Sequence, residues 1–122
     1  MTGDAVLKRA EEVTYEPVDA AEGLTKGVLL GESDGTPRFA IRRFVLDAGA
    51  TVPRHTNEVE HVQYVLEGRY LVGLDDATHE VSPGDSLYIP AGAVHWYRNE
   101  GDEAGSFLCA VPHGDDAIRL ID

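Results

Sequence analysis

The chain has 122 residues, 43% of them hydrophobic, a single cysteine, and a formal net charge of −12 from 10 basic and 22 acidic side chains. That length supports one domain with its own core, and a lone cysteine excludes an internal disulfide framework. The acid excess excludes the basic footprint that nucleic-acid phosphates require, and no apolar run approaches the roughly 20 residues of a membrane-spanning helix.

No basic-plus-apolar leader with a small-residue cleavage site is recognisable, so a cytoplasmic protein with neither nucleic acid nor membrane as partner is expected. One domain is expected over 1–122, with residues 1–27 an N-terminal arm, 28–113 a β-barrel and 114–122 a polar tail. In the arm, Ala5 to Ala10 fits a short strand or one helical turn, and so few residues carry no decisive period. The arm is read as strand plus loop, packed on the barrel or on a partner subunit. Gly35-Thr36-Pro37 is a turn.

A series of short β-patterns follows: Arg38 to Leu46, Glu60 to Leu66, Arg69 to Leu74, His79 to Val81, Ser86 to Ile89, Val94 to Arg98 and Ser106 to Val111. Asp47-Ala48-Gly49, Glu67-Gly68, Asp75-Asp76, Pro83-Gly84-Asp85 and Pro90-Ala91-Gly92 punctuate them. Short strands at regular spacing with such turns predict an all-β sandwich or barrel. Gly68 and Gly84 are expected at hairpin corners with positive φ. The Pro90–Gly92 turn is expected to set His95 at the start of a strand.

Side chains i and i+2 share a face of a strand. His55 therefore faces with Asn57, His61 with Gln63 and Val65, and His95 with Tyr97. Phe107, Cys109 and Val111 share a face, as do Ala40, Arg42 and Phe44. In a small barrel one face of each strand lines the interior. Three imidazoles there, at His55, His61 and His95, suit iron, nickel, copper, zinc or manganese, whereas magnesium and calcium prefer oxygen donors. His79 and His113 lie in polar segments and are read as surface or hydrogen-bonded residues. Gln63 is a candidate to support a ligand or touch substrate. Arg42 either clamps a carboxylate substrate through its planar fork or is a rim charge paired with Asp or Glu. Tyr97, Phe107 and Val111 are read as core or pocket wall. Trp96, opposite in parity to His95, is expected between the sheets or at an interface. Cys109 reads as a small buried apolar residue, open to oxidation if a redox metal lies beside it.

Two motifs resemble those of the cupin superfamily. The first runs Gly49, five residues, His55-x-Asn57, three residues, His61, six residues, Gly68. The second runs Gly84, five residues, Pro90-x-Gly92, two residues, His95, three residues, Asn99. Together they cover residues 49–99. Asn57 replaces the second histidine of the first motif, and His61 replaces its glutamate. The latter replacement is similar to that of small single-domain cupins that bind manganese or another divalent metal through four imidazoles. Those proteins also share openings like Leu7-Lys8-Arg9-Ala10 and endings like Phe107-Leu108-Cys109. The resemblance implies a jelly-roll β-barrel and His55, His61 and His95 as metal ligands, with Asn57 at the fourth place. It also implies homodimers that pack or exchange the N-terminal strand. The Asn57 amide oxygen is a weaker, neutral donor than imidazole; it binds metal directly, binds through water, or leaves the position open.

The function classes that follow are a metalloenzyme of dioxygenase, lyase or isomerase type acting on a small organic molecule, or a non-catalytic ligand-binding or sensing cupin with a weakened metal site. A purely structural dimer is disfavoured, because buried polar groups are costly without a purpose.

The acidity admits two readings. One is a solvated surface that resists association. The other is adaptation to salt, since acidic surfaces poor in lysine (Lys8 and Lys26 are the only two) resemble those of halophilic organisms. Salt adaptation predicts that Tm rises by several degrees between dilute buffer and molar KCl; equal Tm in both, measured by calorimetry, overturns it.

Overall fold

The computed structural model describes residues 4–121; residues 1–3 of the expected arm and residue 122 of the expected tail lie outside the described residues. Eleven strands follow in chain order. They are β1 (Tyr15–Pro17), β2 (Leu24–Leu30), β3 (Phe39–Leu46), β4 (Thr51–Asn57), β5 (His61–Glu67), β6 (Tyr70–Leu74), β7 (Ala77–Val81), β8 (Ser86–Ile89), β9 (His95–Arg98), β10 (Gly105–Pro112) and β11 (Ile118–Leu120). Two short 3-10 turns, Ala10–Glu12 and Glu32–Asp34, are the helical elements among the described residues. The Ala5–Ala10 segment thus forms no strand, and a turn begins where it ends.

All strand pairs are antiparallel, in two sheets ordered β1-β2-β3-β10-β5-β8 and β11-β4-β9-β6-β7. This is the all-β jelly roll expected from the sequence. The seven strands bounded from the sequence, β3 and β5 to β10, agree to within two residues, whereas β1, β4 and β11 had no bounds assigned. β2 was hidden, because Leu24-Thr25-Lys26-Gly27 carries no clean alternation.

Between the sheets lies a core containing Leu46, Val65, Val72, Leu87 and Phe107. Its centre is aromatic. Phe107 stacks on Phe44 at 5.2 Å and on Tyr97 at 5.3 Å between ring centroids, with Tyr70 at 5.9 Å. Such pairs add about 0.5–1.5 kcal/mol each beyond the apolar area they bury. Asn99 ties loops to this core: its amide donates to the carbonyls of Leu46 and Glu103, and its oxygen accepts from Gly101 N. Trp96 lies on the outer face of the second sheet rather than between the sheets. It covers Gly73, where any Cβ would collide with the indole ring, and Arg98 stacks on it at 5.1 Å.

Gly68 and Gly84 have φ of 75° and 97°. The two differ in surroundings. A Cβ at Gly68 would stand 2.7 Å from Ala104 O, whereas nothing lies within 4 Å of one at Gly84. Left-handed backbone alone costs an L-residue about 1–2 kcal/mol. Gly84→Ala should therefore lose about that much stability, and Gly68→Ala distinctly more, because backbone must also move. Urea unfolding of both variants checks the order; equal losses would show that the close approach at Gly68 carries no cost.

Candidate metal centre

Strand register assembles a polar cluster at one end of the space between the sheets. On the second sheet, His55 of β4 pairs directly with His95 of β9, and Asn57 lies two residues beyond His55 on the same face. On the first sheet, Gln63 pairs with Cys109 and Cys109 with Arg42, one row across β5, β10 and β3. His61 begins β5 on that face. His55, Asn57, His61, Gln63, His95, Arg42, Tyr97 and Phe107 all line one cavity of about 90 Å³, so the structure brings these sequence-predicted site residues together. Cys109 lies just behind that wall, fully buried.

Hydrogen bonds set the orientation of each ring. His55 Nδ1 lies 2.8 Å from Pro53 O, and His95 Nδ1 lies 3.0 Å from Ala93 O. A carbonyl only accepts, so both Nδ1 atoms carry the proton and donate it. In the neutral ring the lone pair is then on Nε2. His95 Nε2 is buried without a partner, and so is Asn57 Oδ1. The third ring differs. His61 Nδ1 lies 3.3 Å from Cys109 Sγ, and its Nε2 lies 3.0 Å from Asp116 Oδ2.

The charge states follow. Burial pushes His55 down, assisted by the charge of His61. Burial and the neighbouring His55 and His61 push His95 down to about 4. Both rings are neutral donors at pH 7. Burial also pulls His61 down, but its hydrogen bonds to Asp116 and Cys109 outweigh this and raise it to about 9. Against the burial that raises them, the same contacts and Arg42 hold the Cys109 thiol and the Asp116 carboxyl below their usual ranges. Arg42 stands 3.6 Å from Asp116 Oδ2, donates to Cys109 Sγ at 3.5 Å and stacks over Phe44 at 5.2 Å. It therefore faces inward and is also paired with an aspartate, joining both readings made from the sequence. Gln63 Nε2 donates to Tyr97 Oη at 2.8 Å, while Gln63 Oε1 is buried without a partner.

Asp116 is the site residue that the sequence left unmarked. It precedes β11, which lies along β4 and pairs Ile118 with Asn57 and Leu120 with His55. The tail expected at 114–122 thus lines the cavity through Asp116 and Ile118, beside Val18, Ala20 and Lys26 of the N-terminal region. With His61 Nε2 engaged by Asp116, no group of three or more His, Cys, Asp or Glu among the described residues is arranged to hold a metal ion as it stands. The donor chemistry nonetheless fits one. Each ring has its Nδ1 against an acceptor, the arrangement that orients metal-binding imidazoles, and two buried donor atoms lack partners. Glu58 lies outside, paired with Arg119 at 2.8 Å, and Glu60 is exposed. His79 is exposed too. His113 is hydrogen-bonded to Thr36.

Comparison with known proteins agrees with this fold. The cupin domain family matches residues 42–111. The solved polyketide cyclase RemF from Streptomyces resistomycificus is 31% identical, with a TM-score of 0.87 over 96% of this chain and 87% of that one. An uncharacterized protein of Methanocaldococcus jannaschii is 42% identical over 65 residues, 52% of each chain. Rice glutelin type-B 1 is 29% identical over 55% of this chain. The chain spans about half the length of the former curated relative and only 19% of the latter.

Proposed function

This chain belongs to the cupin domain family, and we propose that it is a small metalloenzyme acting on a small organic substrate at a histidine-based divalent metal site. One observation carries the reading. His55 and His95 present unprotonated Nε2 atoms to a buried cavity in which Asn57 Oδ1 also lacks a partner. Buried polar atoms are rarely left so, and a cation satisfies them together. His55, His61 and His95 would hold the ion, with Asn57 as a neutral fourth donor. This set suits manganese, iron, nickel, copper or zinc. Such an ion supplies Lewis-acid polarisation of a substrate oxygen or, if redox-active, dioxygenase chemistry.

The remaining residues have roles independent of the metal's identity. Phe44, Val52 and Phe107 wall the cavity and keep water out, which strengthens every charge interaction inside. Arg42 is held by Cys109 and Asp116 with its charge toward the cavity, where it binds an anionic or carbonyl end of a substrate. Gln63 Oε1 accepts from a substrate hydroxyl. The likeness to a polyketide cyclase supports a carbonyl-bearing substrate and lyase- or isomerase-type rearrangement over oxidation. A second reading, a ligand sensor without catalysis, is favoured by a single feature: Asp116 alone can satisfy both His61 and Arg42.

A second copy of the chain is the other partner we propose. Phe39, Val62, Tyr64 and Tyr88 are exposed on the outer face of the first sheet, beside Leu108 and Ala110. Two molecules of charge −12 repel; this largely apolar face, on which Arg43 is already paired with Glu67, lets them approach with the least opposition, and it runs from β3 to the β8 edge of the sheet.

Elemental analysis of protein purified without chelators should find about one transition metal per chain. His95→Ala should weaken binding more than the roughly 10–100-fold that loss of a supporting contact costs. A wild-type protein that retains no metal after equilibration with manganese, iron, nickel and zinc salts overturns the metalloenzyme in favour of the sensor. Light scattering in molar salt should give twice the monomer mass, and Val62→Glu with Tyr88→Glu should halve it; a wild-type monomer there removes the dimer.

A further inference from the structure

Asp116 lies beyond the segment matched by the family, 42–111, yet it lines the cavity and touches His61. Its position is built rather than incidental. β11 is paired to β4 through Ile118, Arg119 and Leu120. Glu58 N donates to Ala117 O at 3.2 Å and Ile121 N to Arg54 O at 2.9 Å. Val59 N donates to Asp116 Oδ1 at 3.4 Å. That contact occupies one carboxylate oxygen and leaves Oδ2 aimed at His61 Nε2, 3.0 Å away. The side chain is only 17% exposed.

Charge makes this placement informative. Three neutral imidazoles and the neutral Asn57 amide would leave both charges of a divalent ion uncompensated in a buried site. The Arg42 guanidinium, 3.6 Å from Asp116 Oδ2, adds a further positive charge. Uncompensated buried charge is strongly unfavourable. Among the residues lining the cavity, Asp116 alone is an acid.

Geometry agrees. Donors each about 2.1 Å from one ion stand about 3.0 Å apart in an octahedral arrangement and about 3.4 Å apart in a tetrahedral one. The observed Nε2–Oδ2 separation is the octahedral distance. One spacing thus serves both as a hydrogen bond through a shared proton and as the edge of a coordination polyhedron. Exchanging the proton for an ion requires little movement of β5 or of the tail. His61 Nδ1 would keep Cys109 Sγ as its partner, matching the carbonyl partners of His55 and His95.

We propose that Asp116, delivered by the C-terminal segment, is a direct carboxylate ligand of the metal, completing a three-histidine, one-aspartate site in which Asn57 is an auxiliary neutral donor. The inference rests on the metal-site reading above. It makes metal affinity depend on β11 docking along β4.

Cobalt(II) tests it, because its visible d–d bands report the ligand set without any assay of activity. Chelator-stripped wild type should bind about one cobalt per chain. Asp116→Asn, nearly isosteric and at the rim of the fold, should lower the affinity at least 10-fold and shift the bands. Asp116→Glu should recover part of both. Unchanged Tm of the metal-free variants shows that the fold is intact; if Asp116→Asn fails to fold, the wild-type-to-Glu comparison still reads out a band shift. Wild-type affinity and bands in Asp116→Asn overturn the inference and leave the histidine site standing. Failure of the wild type to bind cobalt overturns the metal reading, and this inference with it.

Discussion

The feature on which the cavity depends is the pinning of imidazole Nδ1 atoms. Pro53 O and Ala93 O each accept from the histidine two residues further along the chain. Both bonds are therefore local, set by the conformation of one strand and one turn. They determine the tautomer and the ring plane. Register then opposes His55 and His95 across β4 and β9, and their ring centroids come within 4.1 Å. Burial is the main reason both stay neutral at this distance, with the charge of His61 acting on both and His55 acting on His95 as well.

That arrangement places a demand on the rest of the fold. Buried acceptors without donors cost roughly 1–3 kcal/mol each, and His95 Nε2, Asn57 Oδ1 and Gln63 Oε1 are all of this kind. The apolar half of the barrel must offset that deficit. The stacked Phe44, Phe107 and Tyr97 adjoin the polar cluster directly, so the stabilising part of the core and its destabilising part share a wall. Tyr97 belongs to both, packed on Phe107 and accepting from Gln63.

Much of this was legible in the sequence because β-structure repeats every two residues. Gly and Pro punctuation located most strands, and parity alone turned His55, Asn57, His61, Gln63, His95 and Arg42 toward one interior. Two things were beyond that reach. Parity assigned Trp96 to the face opposite His95, but whether anything lies behind a sheet is a question of layers, which a strand pattern does not contain. Asp116 was hidden for a similar reason. β11 is three exposed residues with no alternation to read, and it exists through its pairing with β4, some sixty positions away. The polar run His113-Gly114-Asp115-Asp116 looks like a solvated end until that pairing carries its last aspartate back over the cavity.

The size of the cavity limits what can enter. A cavity of about 90 Å³ is well below the roughly 300–1,000 Å³ of sites that enclose a drug-sized molecule. Only a few atoms beyond an ion fit, so a larger substrate offers just its reactive end. A three-residue edge strand is a natural place for local opening, because few contacts must break together. The hydrogen bonds of β11 to β4 run beside Asn57 and His55, and Asp116 is anchored through Val59. The segment that lines one side of the cavity is therefore the same one that carries the carboxylate facing His61, with Val18, Ala20 and Lys26 bounding the other side.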